Sequence, residues 1–255
     1  MRTAVFQDIR SVWWRESLLI VRDPFTLIFS IVQPLVFLAL FGPLLAGVAS
    51  DAAISSQSTL QWFLPGVVVM ITMFGTSMTG ANLQFEIMTG SFERILATPL
   101  ARPALVIGRA LKELTPLVAQ AAIITVVAIP FGFQLFPIHV VVGLVLLGVF
   151  GVGVGALSYA LAIASRKSEW IFWAVQQSLL FPLLILSGMM LPLETGPAWM
   201  QALSRLNPLT YIVNAERMLF AGSIGVDVAY GFVAAIATAI VGLVVGVRAI
   251  RQATI

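Results

Sequence analysis

The 255-residue sequence contains no cysteine, which excludes a disulfide framework, a zinc-thiolate site and an iron–sulfur cluster. Its single histidine, His139, leaves little for metal binding. Charge is also scarce. Only 10% of the residues are charged, against about 25% in an ordinary soluble domain, so water is not the main solvent of this chain. No G-x-x-x-x-G-K-[ST] loop occurs anywhere, and with it are missing the glycine-rich backbone and the lysine that cradle nucleotide phosphates. ATP hydrolysis by this chain itself is therefore not expected, nor is a cofactor bound here. The basic residues are scattered singly between apolar segments instead of lining one face, which argues against nucleic acid as a partner. The N-terminal region, residues 1–21, lacks the compact apolar core and small-residue cleavage site of a signal peptide. Neither an internal repeat nor a low-complexity linker divides the chain.

What the chain does have is apolar sequence: 60% of its residues are hydrophobic. A helix rises 1.5 Å per residue, so about 20 mostly apolar residues cross the hydrocarbon of a bilayer. Six segments meet that standard: Phe25–Val48, Gln61–Asn82, Leu114–Phe133, Ile138–Ala164, Trp170–Met190 and Val228–Val247. The fold class read from this pattern is an all-α integral membrane domain of six spans covering residues 1–255. Residues 25–82 hold spans one and two, 114–190 spans three to five, and 228–247 span six. Prolines at 34, 43, 65, 116, 130 and 182 should start or kink these helices, which membrane neighbours tolerate.

With the N-terminus in the cytoplasm, twelve of the Lys and Arg residues fall inside and only Arg205 and Arg217 outside. This bias orients the chain with both termini cytoplasmic, as an even number of spans requires. Residues 1–24 read as a cytoplasmic amphipathic helix. Val5, Phe6, Ile9, Val12, Trp13, Leu19 and Ile20 fall on one arc, with Asp8, Arg15 and Arg22 opposite. With tryptophan at its edge and arginines to meet lipid phosphates, such a helix is expected to lie on the membrane interface instead of crossing it; Glu16 inside the apolar arc weakens this, and packing of the apolar face on protein is the alternative. Residues 83–113 form a cytoplasmic segment of mixed charge. Residues 191–227 are external yet apolar, with turns at Leu191-Pro192, Gly196-Pro197 and Asn207-Pro208. This predicts short re-entrant or interfacial helices before span six, one of them over Ala198–Leu206. The tail is 248–255.

Two stretches carry a family likeness. The cytoplasmic segment reads Glu86-Ile-Met-Thr-Gly90-Ser-Phe-Glu93-Arg-Ile-Leu-Ala-Thr98-Pro99-Leu-Ala-Arg102, and the external one runs from Ser187-Gly188-Met-Met-Leu-Pro192 through Pro197-Ala-Trp199 to Leu206-Asn207-Pro208-Leu-Thr-Tyr211. Together with Arg22-Asp23-Pro24 before span one, they resemble ABC-2 type permeases, the transmembrane subunits of ATP-binding-cassette exporters, and in particular the daunorubicin-resistance-type branch of multidrug or lipid exporters. The resemblance covers nearly the whole chain in the expected order. It implies a half-transporter in a prokaryotic plasma membrane. Its partners would be separate ATPase subunits and a second permease, either another copy in a homodimer or a paralogue in a heterodimer. It also implies a coupling helix between spans two and three.

The segment implied to couple to the ATPase comprises Glu86, Gly90, Ser91, Phe92, Glu93, Arg94, Leu96, Pro99 and Arg102. Glu93 sits in the first turn after Gly90, where a carboxylate complements the helix dipole, and Pro99 stops the turn. Phe92, Ile95 and Leu96 offer an apolar surface for a groove. The external helix motif comprises Gly188, Pro192, Trp199, Asn207, Pro208 and Tyr211. No span carries a charge near its middle, and intramembrane charge marks ion and proton pathways, so a hydrophobic or amphiphilic cargo such as a drug, lipid or glycolipid is favoured. Candidate path residues in spans two and five are Met70, Met73, Phe74, Phe172, Gln176 and Gln177. Apolar side chains of this kind also serve as packing or lipid-facing groups, and glutamines as hydrogen bonds between helices.

Two other classes compete with this reading. A secondary transporter or channel not coupled to ATP is the main alternative, but the charged midplane site and inverted repeats that mark such proteins are missing. A rhomboid-type intramembrane protease needs glycine two residues before its serine, and Ile185 stands there before Ser187. The chain is expected to be non-catalytic.

Overall fold

The structure is a computed structural model that describes residues 2–22, 24–48, 59–96, 102–193 and 196–252. Among these residues the fold is all-helical. In chain order the helices are α1 (Arg2–Arg22), α2 (Pro24–Val48), α3 (Thr59–Met88), α4 (Ser91–Leu96), α5 (Arg102–Lys112), α6 (Leu114–Ala128), α7 (Pro137–Ala164), α8 (Glu169–Leu186), α9 (Ala198–Ser204), α10 (Pro208–Phe220) and α11 (Val226–Gln252). A turn of 3-10 helix, Ile129–Phe131, closes α6 around Pro130. Five stretches are long and apolar enough to cross a membrane: α3, the run Pro103–Phe131 through α5 and α6, α7, α8 and α11. Helix α2 coincides with the first expected span, and its described apolar stretch is Ile31–Phe41.

Several boundaries differ from the hydropathy reading, the largest shift being in the third span, expected from Leu114 and found in the apolar run that starts at Pro103. Helix α3 continues past Asn82 to Met88, with Leu83 and Gln84 buried and Phe85 and Met88 exposed. Helix α11 likewise runs on to Gln252. Helix α8 stops at Leu186, where Ser187 and the left-handed Gly188 (φ +71°) turn the chain. Pro34, Pro43, Pro65 and Pro182 sit inside helices.

Helix α7 is the centre of the bundle and packs chiefly on α11 and α3. Its glycines make both seams. A Cβ on Gly153 would meet the Thr238 carbonyl of α11 at 2.6 Å, and one on Gly151 would meet the Thr76 methyl of α3 at 2.8 Å. Gly246 of α11 lies similarly close to the Ala156 carbonyl, at 3.0 Å from its own added Cβ. Small residues let backbones approach to the distance at which dispersion and weak polar contacts hold membrane helices together. The spacings at 151/155 and 242/246 are thus used within this chain.

Two apolar cores result. The larger joins α3, α6, α7, α8 and α10 around Phe63, Leu64, Met70, Leu147, Phe150 and Ile212. The smaller lies at the other end of α3, with Leu83, Phe92, Leu105, Tyr159, Phe172 and Ile250. Helix α1 packs its apolar arc on α5, where Val12 is buried and abuts Gly108, and its Ser17 hydroxyl meets that of Thr115 in α6 at 3.5 Å. Of the two readings of α1, packing on protein therefore accounts for its described buried side chains, while Phe6 and Trp14 remain exposed.

Candidate functional site

The first region is the end of α3 together with α4 and α5. Gly90 adopts φ +70°, a left-handed conformation that glycine enters without steric cost. It breaks α3, its N–H donating to the Ile87 carbonyl at 3.2 Å, and restarts the chain as α4. Thr89 and Ser91 share a hydroxyl hydrogen bond of 2.7 Å across the break. In α4, Glu93 and Arg94 point to solvent. Phe92 does not. It is 7% exposed and sits in the smaller core with Ile95 packed beside it, which corrects the expectation that Phe92 offers an apolar surface to a partner. The reason is helical geometry: Phe92 and Ile95 lie three apart and share the face turned toward the core. Leu96 ends α4 and Arg102 opens α5, but their side chains, and Pro99 altogether, lie outside the described residues.

Glu86 is turned inward as well. Its carboxylate accepts from the Arg109 guanidinium of α5 at 2.6 Å. Arg109 is itself 3% exposed and lies 5.7 Å from the Tyr159 ring of α7. One turn on, Lys112 approaches Glu113 at 3.8 Å, and the Thr79 hydroxyl of α3 donates to the same carboxylate at 3.3 Å. The Gln84 amide donates to the Ser165 carbonyl at 3.1 Å, at the end of α7. The mixed-charge segment 83–113 is therefore no solvated loop at its second half. It is a buried polar layer that ties α3 to α5 and α7. Hydropathy missed it because Arg109 and Lys112 read as surface charges, and only the i, i+3 spacing of Arg109 to Lys112 and of Val106 to Arg109 hinted at one face.

The second region is an apolar cleft of about 320 Å³ between α3, α7, α8, α10 and α11. Met73, Phe150, Leu180 and Leu209 form its walls, and Ser77, Ser158 and Gln176 its polar floor. The floor is internally bonded: the Ser158 hydroxyl donates to the Ser77 carbonyl at 2.6 Å and lies 3.0 Å from the Gln176 amide oxygen. Of the path residues read from sequence, Met73 and Gln176 line this cleft. Met70 is buried in the larger core nearby, and Phe74 is half-buried, edge-on to Phe181 with ring centroids 6.3 Å apart. Phe172 is elsewhere, fully buried in the smaller core with Phe92, so it lines no path. Gln177 is not part of the cleft lining, and its amide oxygen is buried without a hydrogen-bond partner.

The third region is the α9–α10 hairpin. Asn207 caps α10, accepting from the Leu209 N–H at 3.0 Å, with Pro208 at the first helical position. The same Asn207 donates to the Leu183 carbonyl at 2.7 Å, and the Thr210 hydroxyl donates to that of Leu186 at 3.1 Å. These bonds satisfy the last carbonyls of α8, which its own helix leaves open. The Tyr211 hydroxyl donates to the Arg205 carbonyl at 2.8 Å. Gly188 supplies a carbonyl to Arg217 at 2.7 Å, Pro192 lies just beyond, and Trp199 of α9 is exposed. Sequence reasoning missed Glu216. It is wholly buried, beside Gly143 of α7, with neither carboxylate oxygen hydrogen-bonded. Desolvation pushes its carboxyl up to about 8, since burial disfavours the charged form.

Five stretches long and apolar enough to cross a membrane, seamed by glycine around α7 and enclosing an apolar cleft, define a polytopic membrane domain. Residues 7–221 match the family of the ABC-2 type transporter. A daunorubicin resistance ABC transporter permease protein of Streptomyces coeruleorubidus is 31% identical over 214 residues, covering 83% of this chain and 74% of the relative. A putative transport permease, ycf38, of Cyanophora paradoxa is 31% identical over 204 residues, 79% of this chain and 70% of the relative. A probable multidrug ABC transporter permease of Escherichia coli, YbhR, is 26% identical over 180 residues, 67% of this chain and 46% of the relative. The chain belongs to the ABC-2 type transporter family and is a multi-pass membrane permease component of an ABC exporter.

Proposed function

We propose that this chain is one permease half of an exporter that moves a hydrophobic or amphiphilic compound, a drug, lipid or glycolipid, out across the plasma membrane of a prokaryote. It crosses the membrane six times, α2 being the first span, with both termini in the cytoplasm and α9 and α10 on the outside. The observation that carries the cargo class is the apolar cleft lined by Met73, Phe150, Leu180 and Leu209 above a floor of bonded neutral groups. Such a cavity selects by apolar area with a few polar contacts.

ATP and magnesium belong to a separate nucleotide-binding subunit, which docks on α4 through Glu93 and Arg94. The buried layer behind α4 supports this reading: a push on α4 is passed through Phe92 to the core and through Glu86–Arg109 to α5, without slack. A second permease, the same chain or a related one, completes the path.

The test is reconstitution with the ATP-binding-cassette subunit. Vanadate-sensitive export of a lipophilic dye is expected, with Glu93→Arg cutting export at least tenfold while ATPase activity persists and membrane insertion is unchanged. Export that ignores vanadate and needs no ATPase subunit would instead establish a secondary transporter or channel.

A further inference from the structure

Helix α1 has a second face that the bundle leaves uncovered. Its inner side packs on protein: Val12 and the Ile9 carbonyl lie against Gly108 of α5, and Ser17 meets Thr115 of α6. Away from that contact, Phe6, Arg10 and Trp14 follow one another at a spacing of four, and residues four apart lie on one face of a helix. Phe6 is 70% and Trp14 58% exposed, and Arg10 between them is exposed too. The result is a stripe of two aromatic rings with a guanidinium between them. The acidic residues Asp8 and Glu16 stand about 120° or more round the helix from Arg10, so the charge of the stripe is positive.

The register of α1 fixes where the stripe sits. Val12 lies by Gly108, and Ser17, further along α1, lies by Thr115, further along the partner strand of helix. Helices α1 and α5 therefore run in the same direction. Each leads into a span: α1 ends at Arg22 and α2 begins at Pro24, while α5 ends at Lys112 and α6 begins at Leu114. Because α5 packs on α7 and α1 packs on α5, the stripe faces away from the bundle, at the level where two spans enter the membrane.

In water this stripe would leave two large rings hydrated, which is unfavourable. The headgroup region of a bilayer accepts both of its parts. Tryptophan sits at the level of the headgroups, and arginine lays its stem along the apolar boundary while its cation reaches the phosphates. The cytoplasmic leaflet adds a negative surface potential that draws such cations.

We propose that Phe6, Arg10 and Trp14 bind α1 to the cytoplasmic leaflet through anionic phospholipid headgroups, with the rings at the acyl boundary and the guanidinium on a phosphate. This rests on the reading of α2 as the first span with α1 in the cytoplasm. It also gives the lipid a route to the charge layer. Arg109 directly follows Gly108, so the part of α5 that leans on α1 is the part that holds Glu86.

The test is the fluorescence of Trp14 in the full-length chain, reconstituted in phosphatidylcholine vesicles with a minor fraction of brominated lipid and without ATP or an ATPase subunit. Subtracting the emission of Trp14→Phe isolates Trp14 from the other tryptophans. Brominated phosphatidylglycerol is expected to quench it at least twofold more than brominated phosphatidylcholine at the same mole fraction. Arg10→Gln should abolish that preference and Arg10→Lys should keep most of it, both at an exposed position where folding is not at stake. Equal quenching by the two lipids, or a preference that survives Arg10→Gln, overturns the anionic headgroup. Loss of quenching when the ATPase subunit is added assigns the stripe to that subunit and overturns the proposal. Sidedness is read separately, because the chain has no native cysteine: Gln7→Cys should react with an impermeant maleimide in inside-out vesicles only. Reaction in right-side-out vesicles would overturn the topology together with the proposal, whereas Trp14 quenched by neither lipid, with Gln7→Cys labelled from inside, overturns the lipid surface alone.

Discussion

The two ends of the bundle bury charge in opposite ways. Beside α4, Arg109 is buried with Glu86 against it at 2.6 Å, and Lys112 is buried next to Glu113. At the α10 end Glu216 is buried more completely, yet neither of its oxygens has a hydrogen-bond partner. A buried pair couples the elements that supply its two partners. A lone buried carboxyl becomes neutral and couples its site to pH. The paired end is suited to passing on a mechanical displacement. The unpaired end holds a proton instead.

The largest effect should come from breaking the pair. Removing one partner of a buried ion pair costs about 3–5 kcal/mol. Glu86→Gln should fall near the low end, about 3 kcal/mol, because the Tyr159 ring still faces Arg109 and the Glu86 side chain is 22% exposed. Thermal unfolding in detergent measures this. The double variant Glu86→Gln, Arg109→Met should recover most of the loss in stability while coupling to ATP hydrolysis stays impaired. A double variant as unstable as the single one would remove the contrast between the ends.

Glu216 should respond with the opposite sign. Its folded carboxyl is held at about 8, against 4.5 without the fold, so the folded state binds the proton more tightly. Stability from this group is complete below pH 4.5 and falls as pH rises to about 8, with a limiting slope of about 1.4 kcal/mol per pH unit. Glu216→Gln removes that slope. It should unfold at a higher temperature than the unsubstituted chain at pH 8, with the advantage vanishing toward pH 4.5, and a pH-independent difference would show that a partner holds the carboxylate after all.

The smallest effect belongs to the exposed face of α4. Arg94→Gln should leave the unfolding temperature unchanged, since surface substitutions away from special contacts seldom matter for folding. Co-purification of the ATPase subunit should nonetheless drop several-fold. A stability loss comparable to that of Glu86→Gln would mean that Arg94 belongs to the buried layer.

Much of this organisation is legible from residue order. Five of the expected spans recur as helices long and apolar enough to cross a membrane, and α2 lies where hydropathy places the remaining one. Gly90 and the Asn207-Pro208 pair mark helix breaks through backbone and capping chemistry that is local. The candidate site is less legible. Met73 and Gln176 do line one cleft, whereas Phe172 joins Phe92 in the core at the other end of α3. Periodicity says that a residue lies on an apolar face. It does not say which helix covers that face.

Residue order is enough for the solvent, the helices and the family likeness, because hydropathy, glycine, proline and capping residues act over a few residues of chain. Which charges are buried, and with whom, follows from how the helices pack. Glu86 and Arg109 are 23 residues apart, and Glu216 lies 73 residues beyond Gly143 (216 − 143). Whether such groups pair, or stand alone, depends on the close approach of α7 to its neighbours at Gly143, Gly151 and Gly153, and that approach is a property of packed helices.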